Sequence, residues 1–97
     1  MSVVFANPTE KQFQQSVVDL AQLLGWATFH SFDSRKSAAG FPDLVIVRDR
    51  VLFAELKTES GKLAPAQGDW LAALRAAGAL VYVWRPSDWA EIQRELT

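Results

Sequence analysis

The chain is expected to fold as a single mixed α/β domain spanning residues 1–97, a central sheet flanked by helices in the order helix, strand, hairpin, helix, strand, helix. Three observations predict this. Apolar residues recur at helical spacing over residues 10–24 and again after Pro65. Two apolar runs, Leu44 to Val47 and Val51 to Ala54, are separated only by Arg48-Asp49-Arg50, which is the pattern of a β-hairpin. Leu80-Val81-Tyr82-Val83-Trp84 is rich in β-formers and too brief for a helix.

Residues 1–7 show no periodicity and are expected to be an irregular lead-in. Asn7-Pro8-Thr9-Glu10 then carries helix-start signals, with Pro near the first turn and Thr9 in capping-box spacing with Gln12. Phe13, Val17, Leu20, Ala21 and Leu24 form the apolar stripe, and Gly25 is a natural stop. Glu10 precedes Phe13 by three and Val17 by seven, so it heads that stripe and points along it toward the sheet; Gln14 shares the edge. The helix dipole alone also accounts for an acidic residue there.

Residues 26–32 alternate loosely and suggest a first strand. His30, the only histidine, is more ordinary on a strand as a packed or exposed residue than as a catalytic one. Residues 33–40 are small and polar, hence a loop that delivers the chain into Pro42, whose ring holds Phe41 extended.

Parity in the hairpin carries the chemistry. If the chain turns through Arg48 to Arg50, Val47 pairs with Val51, Val45 with Phe53, and Asp43 falls opposite Glu55. Lys57 follows Glu55 by two, so Asp43, Glu55 and Lys57 project from one face while Leu44, Ile46, Leu52, Ala54 and Leu56 project from the other. Two carboxylates converging beside an apolar face repel each other, and burying them unpaired costs several kcal/mol each. A divalent cation offsets that cost; carboxylate and carbonyl oxygens suit Mg²⁺ or Mn²⁺ and leave coordination positions for a phosphate. An adjacent ammonium completes a set able to cleave phosphodiesters. An ordinary surface pair at a strand end and a turn aspartate are the plain alternative, against which spacing, parity and apolar flanks all argue.

Beyond the hairpin, residues 58–62 form a second loop and Pro65 opens a second helix, with Trp70, Leu71, Leu74 and Ala77 as its apolar face and Gly78 at its end. Gln67 heads that face, and a buried amide there needs a hydrogen-bond partner. After Leu80 to Trp84, Arg85-Pro86 breaks the strand, and Ser87 is placed to cap a last short helix through Trp89, Ile92 and Leu96. Trp84 and Trp89 suit packing better than base stacking.

Pro42-Asp43 followed by Glu55-Leu56-Lys57 resembles the PD-(D/E)XK nuclease signature. Gly40-Phe41-Pro42-Asp43-Leu44, Phe53-Ala54-Glu55-Leu56-Lys57, Gln67 and Glu10 together resemble its VRR-NUC branch, over a span from Thr9 to Trp89. The resemblance implies a restriction-endonuclease-like αβββαβ core and a Mg²⁺ or Mn²⁺ site. It implies that Asp43, Glu55 and the Leu56 carbonyl hold the metal, that Glu10 joins them directly or through water, that Lys57 positions the attacking water, and that Gln67 sits by that water or the phosphate. It also implies a DNA endonuclease resembling stand-alone phage and bacterial Holliday-junction resolvases, acting as a homodimer in the cytoplasm of a bacterial or phage-infected cell.

Composition bounds this reading. The chain has 49% hydrophobic residues and four Trp, enough for one modest core but not for an added recognition module. No run reaches membrane-span length and the N-terminus lacks a signal-peptide pattern, so a soluble intracellular protein is expected. With no Cys there are no disulfides or thiolate metal sites. A net charge of −1 is low for a DNA-binding protein, so phosphate contacts must be local. Arg35, Lys36 and Lys62, helped by Ser34 and Ser37, are the candidates around the metal, whereas Arg48 and Arg50 fit solvated charges as well as a basic rim. Phe5 and Phe32 are candidates for a dimer surface. A branched-DNA-binding module without turnover and a purely structural interaction domain are the other classes; the first has no need of Asp43, Glu55 and Lys57 together, and the second would bind no metal.

Overall fold

A computed structural model describes residues 7–30 and 39–97. Helix α1 (Glu10–Leu23) is followed by β1 (Ala27–His30), β2 (Leu44–Val47), β3 (Val51–Leu56), α2 (Pro65–Ala76), β4 (Leu80–Trp84), a 3₁₀ turn (Pro86–Asp88) and α3 (Trp89–Leu96). The four strands form one sheet in the order β1-β2-β3-β4. β1 and β3 both run antiparallel to β2, while β4 is parallel to β3. This is the expected α/β class.

Helix α1 starts where its capping box lies: Thr9 Oγ1 accepts from the Gln12 N–H at 3.1 Å and Gln12 Oε1 accepts from the Thr9 N–H at 2.9 Å. Its buried stripe of Phe13, Val17, Val18 and Ala21 packs on one face of the sheet. That face presents Leu44, Ile46, Leu52, Ala54 and Leu56, all at 0% exposure, which is the set that hairpin parity predicts. α3 closes the same layer through Ile92 and Leu96. Burying one such Leu or Ile stabilises the fold by roughly 1.5–3 kcal/mol.

On the other face Phe53 meets Phe41 edge-to-face with ring centroids 6.2 Å apart, and Phe41 meets Trp70 of α2 at 5.1 Å. α2 packs beside β4. Its stripe is thinner than the spacing predicts: Leu71 is buried, Trp70 and Leu74 are half-buried, and Ala77 is exposed just past the helix, where Gly78 takes φ +91°.

Two boundaries differ from expectation. The first strand begins one residue later, at Ala27, because Trp26 turns into the core and its indole N–H donates to the Leu96 carbonyl at 2.9 Å; residues 31 and 32 of the expected strand lie outside the described residues. Before α3, Pro86 opens a tight 3₁₀ turn in which Asp88 Oδ2, not Ser87, accepts from the Arg85 N–H at 2.9 Å; Ser87 lends its backbone N–H to the Glu59 carboxylate. Among the described residues no helix is long and apolar enough to cross a membrane.

Candidate active site

The hairpin register is Val47↔Val51, Val45↔Phe53 and Leu44↔Ala54, so one further step sets Asp43 against Glu55. Asp43 Oδ2 accepts from the Leu56 N–H at 3.0 Å, which pins its carboxylate to the β3 end. Leu56 sends its side chain into the core and leaves only its backbone at the site.

Glu55 is the centre. It is 1% exposed, the one fully buried acid among the described residues. Its Oε2 accepts from Gln67 Nε2 at 2.9 Å and lies 3.7 Å from Lys57 Nζ. Its Oε1 is buried with no hydrogen-bond partner among the described residues. Burial first, then the adjoining Asp43 carboxyl, push the Glu55 pKa up to about 8; Lys57 pulls the other way and Glu10 adds a smaller push upward.

Gln67 is held at both ends. Its Oε1 accepts from the Ala64 N–H at 2.8 Å, capping a helix start whose own residue has no side chain to offer. That bond requires the amide oxygen on the Ala64 side, so the NH₂ must face Glu55. One side chain therefore both caps the helix start and hydrogen-bonds the buried carboxyl.

Gly40 brings the two halves together. At φ +84° its Cα abuts the first turn of α2, and an added Cβ would lie 2.7 Å from the Gln67 nitrogen and closer still to the Ala66 carbonyl. Only glycine allows this approach, which seats the segment leading to Asp43 directly against the start of α2.

The structure thus gathers Asp43, Glu55, Lys57 and Gln67. Glu10 is exposed at the start of α1 and reaches Glu55 through its field. Among the described residues no three His, Cys, Asp or Glu side chains cluster tightly enough to hold a metal ion, so the acidic centre is the Asp43–Glu55 pair. Paired carboxyls, one with a buried oxygen left unsatisfied, suit a hard divalent cation. Lys62 is exposed on the loop after Lys57. Ser34, Arg35, Lys36 and Ser37 lie outside the described residues, as do Phe5 and Phe32.

Arg48 and Arg50 are engaged by the fold. Their guanidinium carbons lie 4.5 and 5.0 Å from the Trp26 ring centroid. Arg48 donates to the Leu24 and Leu96 carbonyls at 3.0 and 3.2 Å, and Arg50 to the Glu95 carbonyl at 2.5 Å, so the hairpin tip is tied to the C-terminal ends of two helices. Arg85 has no place in the sequence-based site. The parallel register Leu56↔Trp84 carries it level with Lys57, where its Nη1 donates to the carbonyls of Thr58, Gly61 and Glu59 at 2.6, 2.7 and 3.3 Å. The signal available beforehand was its position, one step past a strand pairing with β3.

The VRR-NUC domain model matches residues 3–88. Two solved structures of VRR_NUC domain proteins are similar: one at TM-score 0.75 and 21% identity, over 94% of this chain and 92% of the other, and one at 0.67 and 27%, over 76% and 81%. A Holliday junction resolvase, Hjc of Archaeoglobus fulgidus, superposes at TM-score 0.56 with 25% identity over 77% of this chain and 64% of its own. No curated protein matches.

Proposed function

This chain belongs to the VRR-NUC domain family, and from that premise we propose that it is a divalent-metal-dependent endonuclease that hydrolyses DNA phosphodiesters. One observation carries the reading: a buried glutamate with a raised pKa and an unsatisfied oxygen, beside an aspartate and a lysine, in a fold that matches a nuclease. An acid so placed is destabilising once ionised unless a cation meets it.

Asp43, Glu55 and the Leu56 carbonyl would hold Mg²⁺ or Mn²⁺, with Glu10 reaching it through water. When bound, the ion supplies a more acidic water and draws charge from the phosphate. The protein does the rest. Glu55 would serve as a ligand in its ionised form, its proton released to solvent, with Gln67 keeping Oε2 oriented. Lys57, 12% exposed and backed by protein, orients the attacking water and offsets negative charge developing on the phosphate. A non-catalytic binder of branched DNA has no use for a lysine set against a buried acid.

The substrate we propose is branched DNA, a four-way junction, cut by a homodimer. A domain of 97 residues has little surface for base readout, which favours recognition of shape, and two-fold symmetry suits paired incisions. The similar Archaeoglobus protein is a Holliday junction resolvase, which supports the same choice.

The test incubates the protein with labelled four-way junction, flap and linear duplex in Mg²⁺, Mn²⁺ or EDTA, beside Asp43→Ala and Lys57→Ala, with sedimentation to give the oligomeric state. Junction nicking abolished by chelation and by either substitution is expected. Undiminished cleavage by Asp43→Ala overturns the site, and cleavage of linear duplex alone overturns the junction preference.

A further inference from the structure

Lys57 is a long, flexible side chain, and such a group works as a fixed charge only if its surroundings hold it. Its main chain is held: the Lys57 N–H donates to the Trp84 carbonyl at 3.0 Å, extending the β3–β4 ladder to the residue before Arg85. Its stem is backed by the turn that follows, since a Cβ on Gly61 would stand 3.5 Å from Lys57 Cδ and 3.0 Å from Thr58 Oγ1. That turn is closed by the Gly61 N–H, which donates to Thr58 Oγ1 at 3.1 Å.

Three carbonyls of this turn converge on a single nitrogen. Arg85 Nη1 takes Thr58, Gly61 and Glu59 at 2.6, 2.7 and 3.3 Å, and the neighbouring Ser87 N–H donates to the Glu59 side chain. A planar, permanently charged guanidinium is suited to this task, because it offers rigid donors and no acceptor. Without it the turn keeps only its own Gly61 contacts and the Glu59 to Ser87 bond, and the wall behind the lysine stem loosens.

We propose that Arg85 is a positioning residue for DNA cleavage, acting through residues 58–61 to fix Lys57 against Glu55. This rests on the nuclease reading above. It adds the end of β4 to the β2–β3 hairpin among the elements that set the site's geometry, and it assigns the arginine to the order of the fold instead of to phosphate binding.

The experiment compares wild type, Arg85→Ala and Arg85→Lys on labelled four-way junction and linear duplex DNA in Mn²⁺, and follows backbone amide exchange of the same proteins without DNA. Arg85→Ala is expected to lower kcat at least tenfold with KM changed less than about twofold, and Arg85→Lys to recover part of the loss. The Gly61 amide is expected to exchange at least tenfold faster in Arg85→Ala while the amides of Phe53 and Ala54 hold. If the alanine variant does not fold, Arg85→Lys alone is expected to show an intermediate kcat and intermediate Gly61 exchange. A raised KM at constant kcat marks a phosphate contact and overturns the proposal, and so does unchanged Gly61 exchange. Wild-type protein that cleaves neither DNA removes the nuclease reading and Lys57's role with it, a failure separate from that of the clasp, which the exchange arm decides by itself.

Discussion

The Gln67 side-chain amide donates to Glu55 Oε2 at 2.9 Å while its carbonyl accepts from the Ala64 N–H, so one residue caps α2 and orients the buried acid. Gln67→Ala breaks both bonds and leaves the helix start and the carboxyl unsatisfied. A loss of about 1–3 kcal/mol of stability is expected, with cleavage reduced more than tenfold. Urea denaturation and a junction-nicking assay read the two effects, and a change in one without the other counts against a dual role.

The raised pKa of Glu55 makes stability depend on pH with a definite sign. The folded chain binds this proton up to about 8, against a value of 4.5 for an unburied glutamate. The stabilisation is therefore fully present below about pH 4.5 and is lost as pH rises toward 8. In EDTA, wild type is expected to lose stability relative to Glu55→Gln between pH 5 and pH 9, by on the order of a few kcal/mol. Adding Mn²⁺ at pH 8 should restore wild type and not the variant, since metal and proton compete for the same oxygens. Parallel melting curves across this range would contradict the assignment.

Asp43 has two roles that substitution separates. Its Oδ2 accepts from the Leu56 N–H at 3.0 Å, and its charge faces Glu55. Asp43→Asn keeps an acceptor and removes the charge; Asp43→Ala removes both. Both variants are expected to lose cleavage, but only alanine should lower stability, by about 1–3 kcal/mol for the orphaned N–H. Calorimetry beside the nicking assay distinguishes them.

Two glycines with similar backbone angles should respond differently to alanine. Gly40 and Gly78 have φ of +84° and +91°, but a Cβ meets the Ala66 and Gln67 backbone at the first and nothing within 4 Å at the second. Gly78→Ala is expected to cost roughly 1 kcal/mol from its conformation alone. Gly40→Ala must also push α2 away from the site, so it should cost more than twice that and depress cleavage. Equal denaturation midpoints would refute the close approach.

Arg48→Ala tests whether the hairpin tip serves the fold or the DNA. Its guanidinium lies over Trp26 and donates to carbonyls that end α1 and α3. A stability loss of about 1–2 kcal/mol is expected from the cation–π and helix-end contacts, with junction affinity unchanged. Weakened binding at full stability would return Arg48 to the DNA surface.

What the sequence disclosed follows from the range over which each pattern acts. Hairpin parity is local, so Asp43, Glu55 and Lys57 could be set on one face from spacing alone, as could the Thr9–Gln12 capping box. Gln67 could be placed at the head of a helix, but its partner Glu55 is twelve residues away and on another element. The arginines were opaque for the same reason. Arg48 and Arg50 both pair with the adjacent Asp49, which reads as an ordinary turn ion pair, while the carbonyls that Arg48 meets lie 24 and 48 residues away and leave no mark in the local sequence. Ser87 lost its expected cap because Pro86 tightened the turn and put Asp88 within reach of Arg85.

The arginines already engaged within the fold bear on how this chain would grip a polyanion. Arg48 and Arg50 direct their charge to Asp49 and to main-chain oxygens, Arg85 directs its charge to main-chain oxygens, and they are three of only ten Lys and Arg residues. Each phosphate a protein neutralises expels condensed counterions, and the steepness of its ionic-strength response counts them. For the metal-dependent nuclease proposed above, a shallow response is expected, with a divalent ion at the Asp43–Glu55 pair supplying part of the hold on the backbone.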